Sequence, residues 1–280
     1  MDTASKRIEP AAEALGAHSP SRLRRRGDVI GVPIDALDWN DATALVCGWA
    51  KNMESRYVCI CNVHSVVTAT QDAEFASVVR QADLATPDGA PVAWTLRRKG
   101  FAGQERINGP DLMWRLCRCA EDAGIAVGLF GSTEPTLEAL CAVIEREFPG
   151  LRVAYRHSPP FRQLSGEEDE RLVMDINRSG IGLLFVGLGC PKQEKWMARH
   201  RDRINAVMLG VGAAFDYHAG TTPRAPLWMQ RNGLEWLHRL LSEPRRLWRR
   251  YLVTNSIFLW RTWLDLLQAQ ANRRGKADNG

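Results

Sequence analysis

The sequence lacks most of the short signatures that announce nucleotide or metal chemistry. It has no Walker A motif and no complete G-x-G-x-x-G: the turn Gly187-x-Gly189 runs on to Lys192, and Gly210-x-Gly212 runs on to Phe215. Both absences weigh against a dinucleotide oxidoreductase or an ATP-driven enzyme. The pairs Cys59/Cys61 and Cys117/Cys119 have no further ligands nearby, so they read as packing residues rather than a zinc site. The first 27 residues contain no apolar run and end in Arg22-Leu23-Arg24-Arg25-Arg26-Gly27, which does not fit a secretory signal. They read as a disordered, basic tail facing the cytoplasm. Seven cysteines, an odd number spread through strand and helix patterns, imply reduced thiols. No internal repeat is present.

What is there is a chain of 280 residues, long enough for one sizeable core. Apolar runs of strand length fall at Tyr57–Cys61, Ile125–Phe130, Leu151–Tyr155, Ile181–Val186 and Ala206–Val211. Segments of helical period fall near 40–52, 70–82, 109–123, 133–148, 166–179 and 192–203. This alternation predicts βαβ units, hence an α/β fold with a Rossmann-like parallel sheet over residues 28–222. From about 223 the pattern turns to helices alone, at Leu227–Leu241 and from Pro244 to about Gln270. That change marks a C-terminal helical appendage over 223–270, followed by a disordered tail over 271–280.

Charge is concentrated in this appendage. Between Arg224 and Gly280 eleven Lys and Arg face four acids, an excess of +7 where the whole chain carries +5. The same stretch holds five of the ten tryptophans. A basic, Trp-rich end implies an anionic membrane surface or a phosphate-bearing ligand rather than nucleic acid. Arg245, Arg246, Arg249 and Arg250 recur on one helical face, while Leu247, Trp248, Tyr251, Leu252, Phe258, Leu259, Trp263 and Leu267 recur near the 3.6 period. Arg261 and Asp265 make the run too polar to span a bilayer, so an interfacial helix is expected. The alternative is a helix packed on the sheet domain or on a second subunit of a homo-oligomer.

In parallel sheets, ligands gather beyond the carboxyl ends of the strands, where glycine turns lead into helix N-termini. Three such turns occur here: Gly131-Ser132 after one apolar run, Gly187-x-Gly189 with Pro191 after another, and Gly210-Val211-Gly212 after the last. Polar candidates cluster in the same places. Asp88 lies between Pro87 and Gly89, and Asn62 and His64 follow the first strand on one face. Asp216 and His218 follow the last glycine turn. Each also has a structural reading, since turn aspartates and asparagines often stabilise only their own backbone.

Six stretches together resemble one family: CNVHSV, ADLATPDG, RINGPDL, GLGCPKQEKW, GVGAAFDYHAGTTPRAP and GLEWLHRLLSEPRRLWRRY. In this order, across about residues 28 to 260, they are similar to the WecG/TagA/CpsF glycosyltransferases, a group that includes GumM-type enzymes of exopolysaccharide synthesis. The resemblance implies a cytoplasmic enzyme, peripheral on the inner face of the plasma membrane. Such an enzyme transfers sugar with inversion from a UDP-sugar donor to a polyprenyl-diphosphate-linked sugar acceptor. It implies that Asp88 is the general base, with Asn62 and His64 beside it. Gly131, Ser132, Gly187, Gly189, Pro191, Gln193, Glu194, Asn108 and Asp111 are implied to line the donor site. Arg224, Arg239, Arg245, Arg246, Arg249 and Arg250 form the set expected at the diphosphate and lipid acceptor. One departure stands out: many members carry threonine where this chain has Ile60.

The chemistry is coherent with those residues. Inversion needs one base to take the proton from the attacking hydroxyl, and a single carboxylate suffices. The leaving diphosphate gains charge, which must be met by cations. No Asp-x-Asp triplet is present to hold a divalent ion, and the acidic run at 167–170 reads as a solvated helix start. Guanidinium groups, which pair two phosphate oxygens at once, are expected to replace the metal. No cofactor is expected. The alternatives are a sugar-nucleotide oxidoreductase or epimerase, and a non-catalytic scaffold docked on the membrane.

Overall fold

The computed structural model describes residues 25–277, without the side chains of 246, 250 and 268–277. The chain begins with a hairpin of β1 (Arg25–Val29) and β2 (Val32–Ala36), followed by α1 (Trp39–Lys51). Next come β3 (Arg56–Cys61), α2 (Val63–Gln71), α3 (Ala73–Gln81), β4 (Leu84–Pro87), α4 (Ala90–Arg98) and α5 (Gly109–Ala123). Then follow β5 (Val127–Gly131), α6 (Glu134–Glu147), β6 (Val153–His157), α7 (Gly166–Arg178), β7 (Leu183–Gly187), α8 (Lys192–His200), β8 (Val207–Gly210) and α9 (Ala214–His218). The C-terminal part consists of α10 (Leu227–Arg231), α11 (Glu235–Ser242) and α12 (Pro244–Ala277).

Six strands form one sheet in the order β4-β3-β8-β7-β5-β6, and every neighbouring pair is parallel. The reason lies in the strand sequences. In β7, Leu183 and Phe185 join one apolar cluster and Leu184 and Val186 the other, so both faces must be covered. Helices α1, α5, α6 and α9 cover one face through residues such as Val46, Leu116, Leu140 and Phe215. Helices α2, α3, α4, α7 and α8 cover the other through Val67, Phe75, Leu96, Ile176 and Met197. Because α2 leaves β3 toward one face and α9 leaves β8 toward the opposite face, a crevice opens at their adjacent carboxyl ends.

Three features differ from the sequence reading. The hairpin begins at Arg25, inside the stretch expected to be tail. Ile30 and Gly31 at its turn both have positive φ, 48° and 90°, the geometry a two-residue hairpin turn demands. Buried Asp35 in β2 accepts from the Ala85 amide at 2.7 Å and from Arg26 Nε at 3.2 Å, which ties the hairpin to β4. The expected helix at 70–82 is α3, and α2 before it was not expected; Asp72 takes an extended conformation between the two and caps α3 by accepting from the Phe75 amide. Finally, the thiols are not all reduced. Cys47 of α1 and Cys119 of α5 are joined as a disulfide, since the two helices pack side by side with these Cα atoms 6.7 Å apart. Cys59, Cys61 and Cys117 are buried thiols, as a packing role requires.

Helix α12 continues to Ala277, past the expected end of the appendage at 270. Its apolar residues divide between two faces. Leu247 and Phe258, with Thr254 and Thr262, are buried, and Phe258 joins the core cluster of α2. Trp248, Leu252, Val253, Leu259, Trp260 and Trp263 are exposed. Asp265 fastens the helix to the body by accepting from the Ile30 amide and from Lys99. Among the described residues, no helix is long and apolar enough to cross a membrane.

Candidate active site

The carboxyl ends of β3, β4, β7 and β8 converge. The Asp88 amide donates to the Cys61 carbonyl at 2.9 Å, extending the β3–β4 ladder by one bond and placing Asp88 opposite Asn62. Gly89 then turns with φ of 88°, a conformation that favours glycine, and starts α4. Asp88 is half-buried, and burial of its carboxyl pushes its pKa up to about 6. Arg106 acts against that rise, Glu235 with it, the Gly89 amide against it and Asp111 with it. A carboxyl so placed changes charge close to neutrality, as a general base must.

Asn108 caps α5. Its Oδ1 accepts from the Asp111 amide at 3.0 Å, and its Nδ2 donates to Asp111 Oδ2 at 2.7 Å. The other oxygen, Asp111 Oδ1, accepts from Arg224 Nη1 at 2.7 Å. Burial favours the neutral acid, but the bonds from Arg224 and Asn108 outweigh it and hold Asp111 below the usual carboxylate range. Arg224 Nε lies 3.6 Å from Glu235 Oε1, and Arg106 Nη1 lies 2.6 Å from Glu235 Oε2. Arg224 Nε and Nη2 are buried without a hydrogen-bond partner among the described residues. Donors buried in that condition are costly unless an anion joins them.

The glycine turns stack beside this cluster. Gly131, at φ of 115°, packs so closely on Gly187 that a Cβ would stand 2.6 Å from the Gly187 carbonyl carbon. Ser132, also at positive φ, donates its amide to the Gly187 carbonyl at 3.1 Å. Gly189 donates its amide to Gln193 Oε1 at 3.1 Å, and the Cys190–Pro191 bond that follows is cis. Gln193 in turn packs on Gly210, where a Cβ would meet its Nε2 at 2.9 Å. The sequence therefore brings all three turns to one edge.

Several expected site residues have structural duties. Asn62 caps α2, its Oδ1 accepting from the Ser65 amide at 3.1 Å and Ser65 Oγ at 3.3 Å. His64 Nδ1 lies 3.5 Å from Thr68 Oγ1 one turn along the same helix. Glu194 is buried beneath the turn rather than open to it. Its Oε1 accepts from Gln193 Nε2 at 3.0 Å, its Oε2 has no partner among the described residues, and burial raises its pKa to about 7. Ile60, where threonine was the expectation, is a buried apolar contact whose Cδ1 faces the backbone of Gly109. The acidic run at 167–170 is only partly solvated: Asp169 accepts from His200 Nε2 and Arg203, both at 2.8 Å.

Of the six expected arginines, Arg224 is bonded into the Asp88 cluster. Arg239 acts on the half-buried Tyr217 phenol, countering in part the burial that raises its pKa. Arg245 is exposed on α12, and Arg249 lies over the Trp248 ring, 5.7 Å from its centroid. The side chains of Arg246 and Arg250 lie outside the described residues. Sequence reasoning passed over Arg106, Glu235 and Trp114. Arg106 stands two residues before the Asn108 cap, which was its signal; Glu235 looked like one acid in a basic stretch. Trp114 stacks on His218 at 3.4 Å between centroids, and His218 Nε2 lies 2.9 Å from the Pro110 carbonyl at the start of α5. Burial lowers the His218 pKa to about 4, so this histidine is neutral and donates that bond. Among the described residues, no group of three or more His, Cys, Asp or Glu is placed to hold a metal ion.

The chain matches the model of the glycosyl transferase WecG/TagA/CpsF family over residues 27–272. It is similar to an N-acetylglucosaminyldiphosphoundecaprenol N-acetyl-beta-D-mannosaminyltransferase of Bacillus spizizenii, with 31% identity over 230 residues, 79% of this chain and 86% of that protein. A protein of the same description from Bacillus subtilis is 32% identical over 193 residues, 68% of this chain and 73% of its own. Another from Staphylococcus aureus is 27% identical over 237 residues, 84% and 91% respectively.

Proposed function

The chain belongs to the WecG/TagA/CpsF family of glycosyltransferases, and on that premise we propose that it moves a sugar from a UDP-sugar to a saccharide carried on a polyprenyl diphosphate. The reaction inverts the anomeric carbon and serves synthesis of a bacterial surface polysaccharide of the exopolysaccharide type. The observation that carries the reading is the half-buried Asp88 carboxyl at the junction of β3 and β4, with the Arg106 charge acting on it and Arg224 bound to the neighbouring Asp111.

The steps follow from that arrangement. The acceptor hydroxyl enters beside Asp88, whose carboxylate takes its proton as the oxygen attacks the anomeric carbon. The new C–O bond forms opposite the bond to the diphosphate, which breaks with its electron pair leaving on UDP. Charge growing on the diphosphate is met by guanidinium groups, with the buried Nη2 of Arg224 the best-placed donor. No metal is needed in this scheme. The backbone turns at Gly131, Gly187 and Gly189, shaped by Gln193, receive the nucleotide. The relatives' names make N-acetylmannosamine the first sugar to try on the proposed UDP donor and an N-acetylglucosaminyl-diphospho-polyprenol the first acceptor.

The outer face of α12, with Trp248, Trp260 and Trp263 exposed, supports peripheral attachment to the membrane that carries the acceptor. The test is a panel of radiolabelled UDP-sugars offered with a short-chain polyprenyl-diphosphate-linked N-acetylglucosamine. Transfer of label to lipid from one donor bears the reading out; absence of transfer from every donor, by protein that still binds vesicles, contradicts it.

A further inference from the structure

Glu235 lies on α11, yet its carboxylate is part of the Asp88 cluster. The turn that brings it there is fixed by Gly233, whose φ is 69° and whose Cα presses so closely on Ala90 that a Cβ would stand 2.6 Å from the Ala90 Cβ. Ala90 is two residues from Asp88. From this position Glu235 takes Arg106 at 2.6 Å with one oxygen and faces Arg224 Nε at 3.6 Å with the other. Arg224 is held from its far side by Asp111 at 2.7 Å, and Asp111 by Asn108 at 2.7 Å. The five side chains form one connected row of alternating charge with a neutral amide at its end. Two guanidinium groups in such a pocket, left without a carboxylate between them, would hold Asp88 ionised and make it a poor proton acceptor.

We propose that Glu235 is a positioning residue for Asp88: by pairing with Arg106 and facing Arg224 it offsets the positive charge beside Asp88 and keeps that carboxyl able to take a proton. The inference rests on the reading of Asp88 as the base. It makes α11 part of the reaction chemistry, through a charge that touches the arginines and not the reacting atoms. The charged and titratable groups that act on Asp88 are Arg106, Glu235 and Asp111, with the Cys61 thiol on β3, Tyr217 on α9 and, behind it, Arg239 on α11; Arg224 joins the cluster through Asp111 and Glu235. Of these, Arg106 and Glu235 act most strongly on Asp88 and in opposite directions. A carboxylate that only braced α11 would leave the Asp88 titration where it is when replaced by an isosteric amide.

The experiment is a carbon-13 NMR titration of full-length protein labelled at aspartate Cγ. The Asp88 resonance is identified as the one missing from Asp88→Asn. In the unsubstituted chain its midpoint is expected at about 6. In Glu235→Gln it is expected lower by about one pH unit, and in Glu235→Asp, which keeps the charge, it is expected to return toward the starting value. If Glu235→Gln does not fold, the Arg106→Gln variant takes its place, with an upward shift expected because the opposing charge is gone. Midpoints that stay together across the variants overturn the proposal, whatever their activity. Transfer assays on Asp88→Asn address the underlying reading separately: full turnover there removes Asp88 as the base and the proposal with it, while loss of turnover alongside unmoved midpoints refutes only the role of Glu235.

Discussion

The amide of Asp88 donates to the carbonyl of Cys61 at 2.9 Å, so the end of β4 is locked beside the end of β3. That single bond fixes the candidate base with respect to Asn62 and to the crevice between β3 and β8. Its carboxyl, in contrast, sits where burial opposes ionisation.

This opposition predicts a stability effect. The folded-state pKa of Asp88 is raised to about 6 from an ordinary value of 3.8, so the folded chain binds the extra proton between these limits. Stability is therefore lost as pH rises from about 4 to about 6, and the cost persists above that. Asp88→Asn is expected to melt higher than the parent at pH 8, by about 1 kcal/mol of stability once partial solvent access is allowed for, and to show no gain at pH 4. Calorimetry at the two pH values checks this; equal melting shifts at both would contradict it.

His218 has the opposite sign. Its folded pKa is lowered to about 4 from 6.5, so the unfolded chain binds the proton first and stability falls as pH drops through this range. His218→Phe keeps a ring against Trp114 and removes the titration. The pH dependence of its melting temperature between 4 and 6.5 is expected to flatten, at the cost of about 1 kcal/mol for the lost bond to Pro110. An unchanged slope would place the titration elsewhere.

Gly131→Ala combines a φ of 115° with a Cβ set 2.6 Å from the backbone of Gly187. The turns after β5 and β7 must move apart, and the expected loss is about 2 kcal/mol or more of stability together with a raised KM for the donor. A variant with parental stability and donor KM would show that these turns do not shape the site.

In the proposed scheme arginines rather than a metal meet the leaving diphosphate, so transfer is expected to persist in EDTA. Activity lost on chelation and restored by magnesium would overturn that assignment.

Exposed Trp260 and Trp263 stack at 5.4 Å on the outer face of α12. Replacing both by serine is expected to weaken co-sedimentation with anionic vesicles, and added salt is expected to weaken it further, because each nearby basic residue contributes about 1 kcal/mol. Equal sedimentation of the double variant and its parent would assign this face to another partner.

The parallel sheet was legible because strands buried on both faces read as unbroken apolar runs, as in Leu183–Val186. Strand β4 was not, since its four residues are too few for a period and end in Pro87. The hairpin was hidden by the arginines of β1, which read as tail although Arg26 pairs with buried Asp35. In the site, Asp88 and the glycine turns stood out through local turn chemistry. Arg106 and Glu235 did not, because their meaning lies in a pairing across 129 positions of chain that no local pattern records. Helix α12 was legible as a helix, but the single apolar face expected of it is not found: Leu247 and Phe258 turn inward while Trp248, Leu259 and Trp260 turn out.

The central claim, that Asp88 removes the acceptor proton, is tested most directly by single-turnover transfer in Asp88→Asn beside the parent chain, at saturating donor and acceptor. The account predicts a rate lower by about a hundredfold to ten-thousandfold with donor binding preserved. A rate within a few-fold of the parent would contradict it.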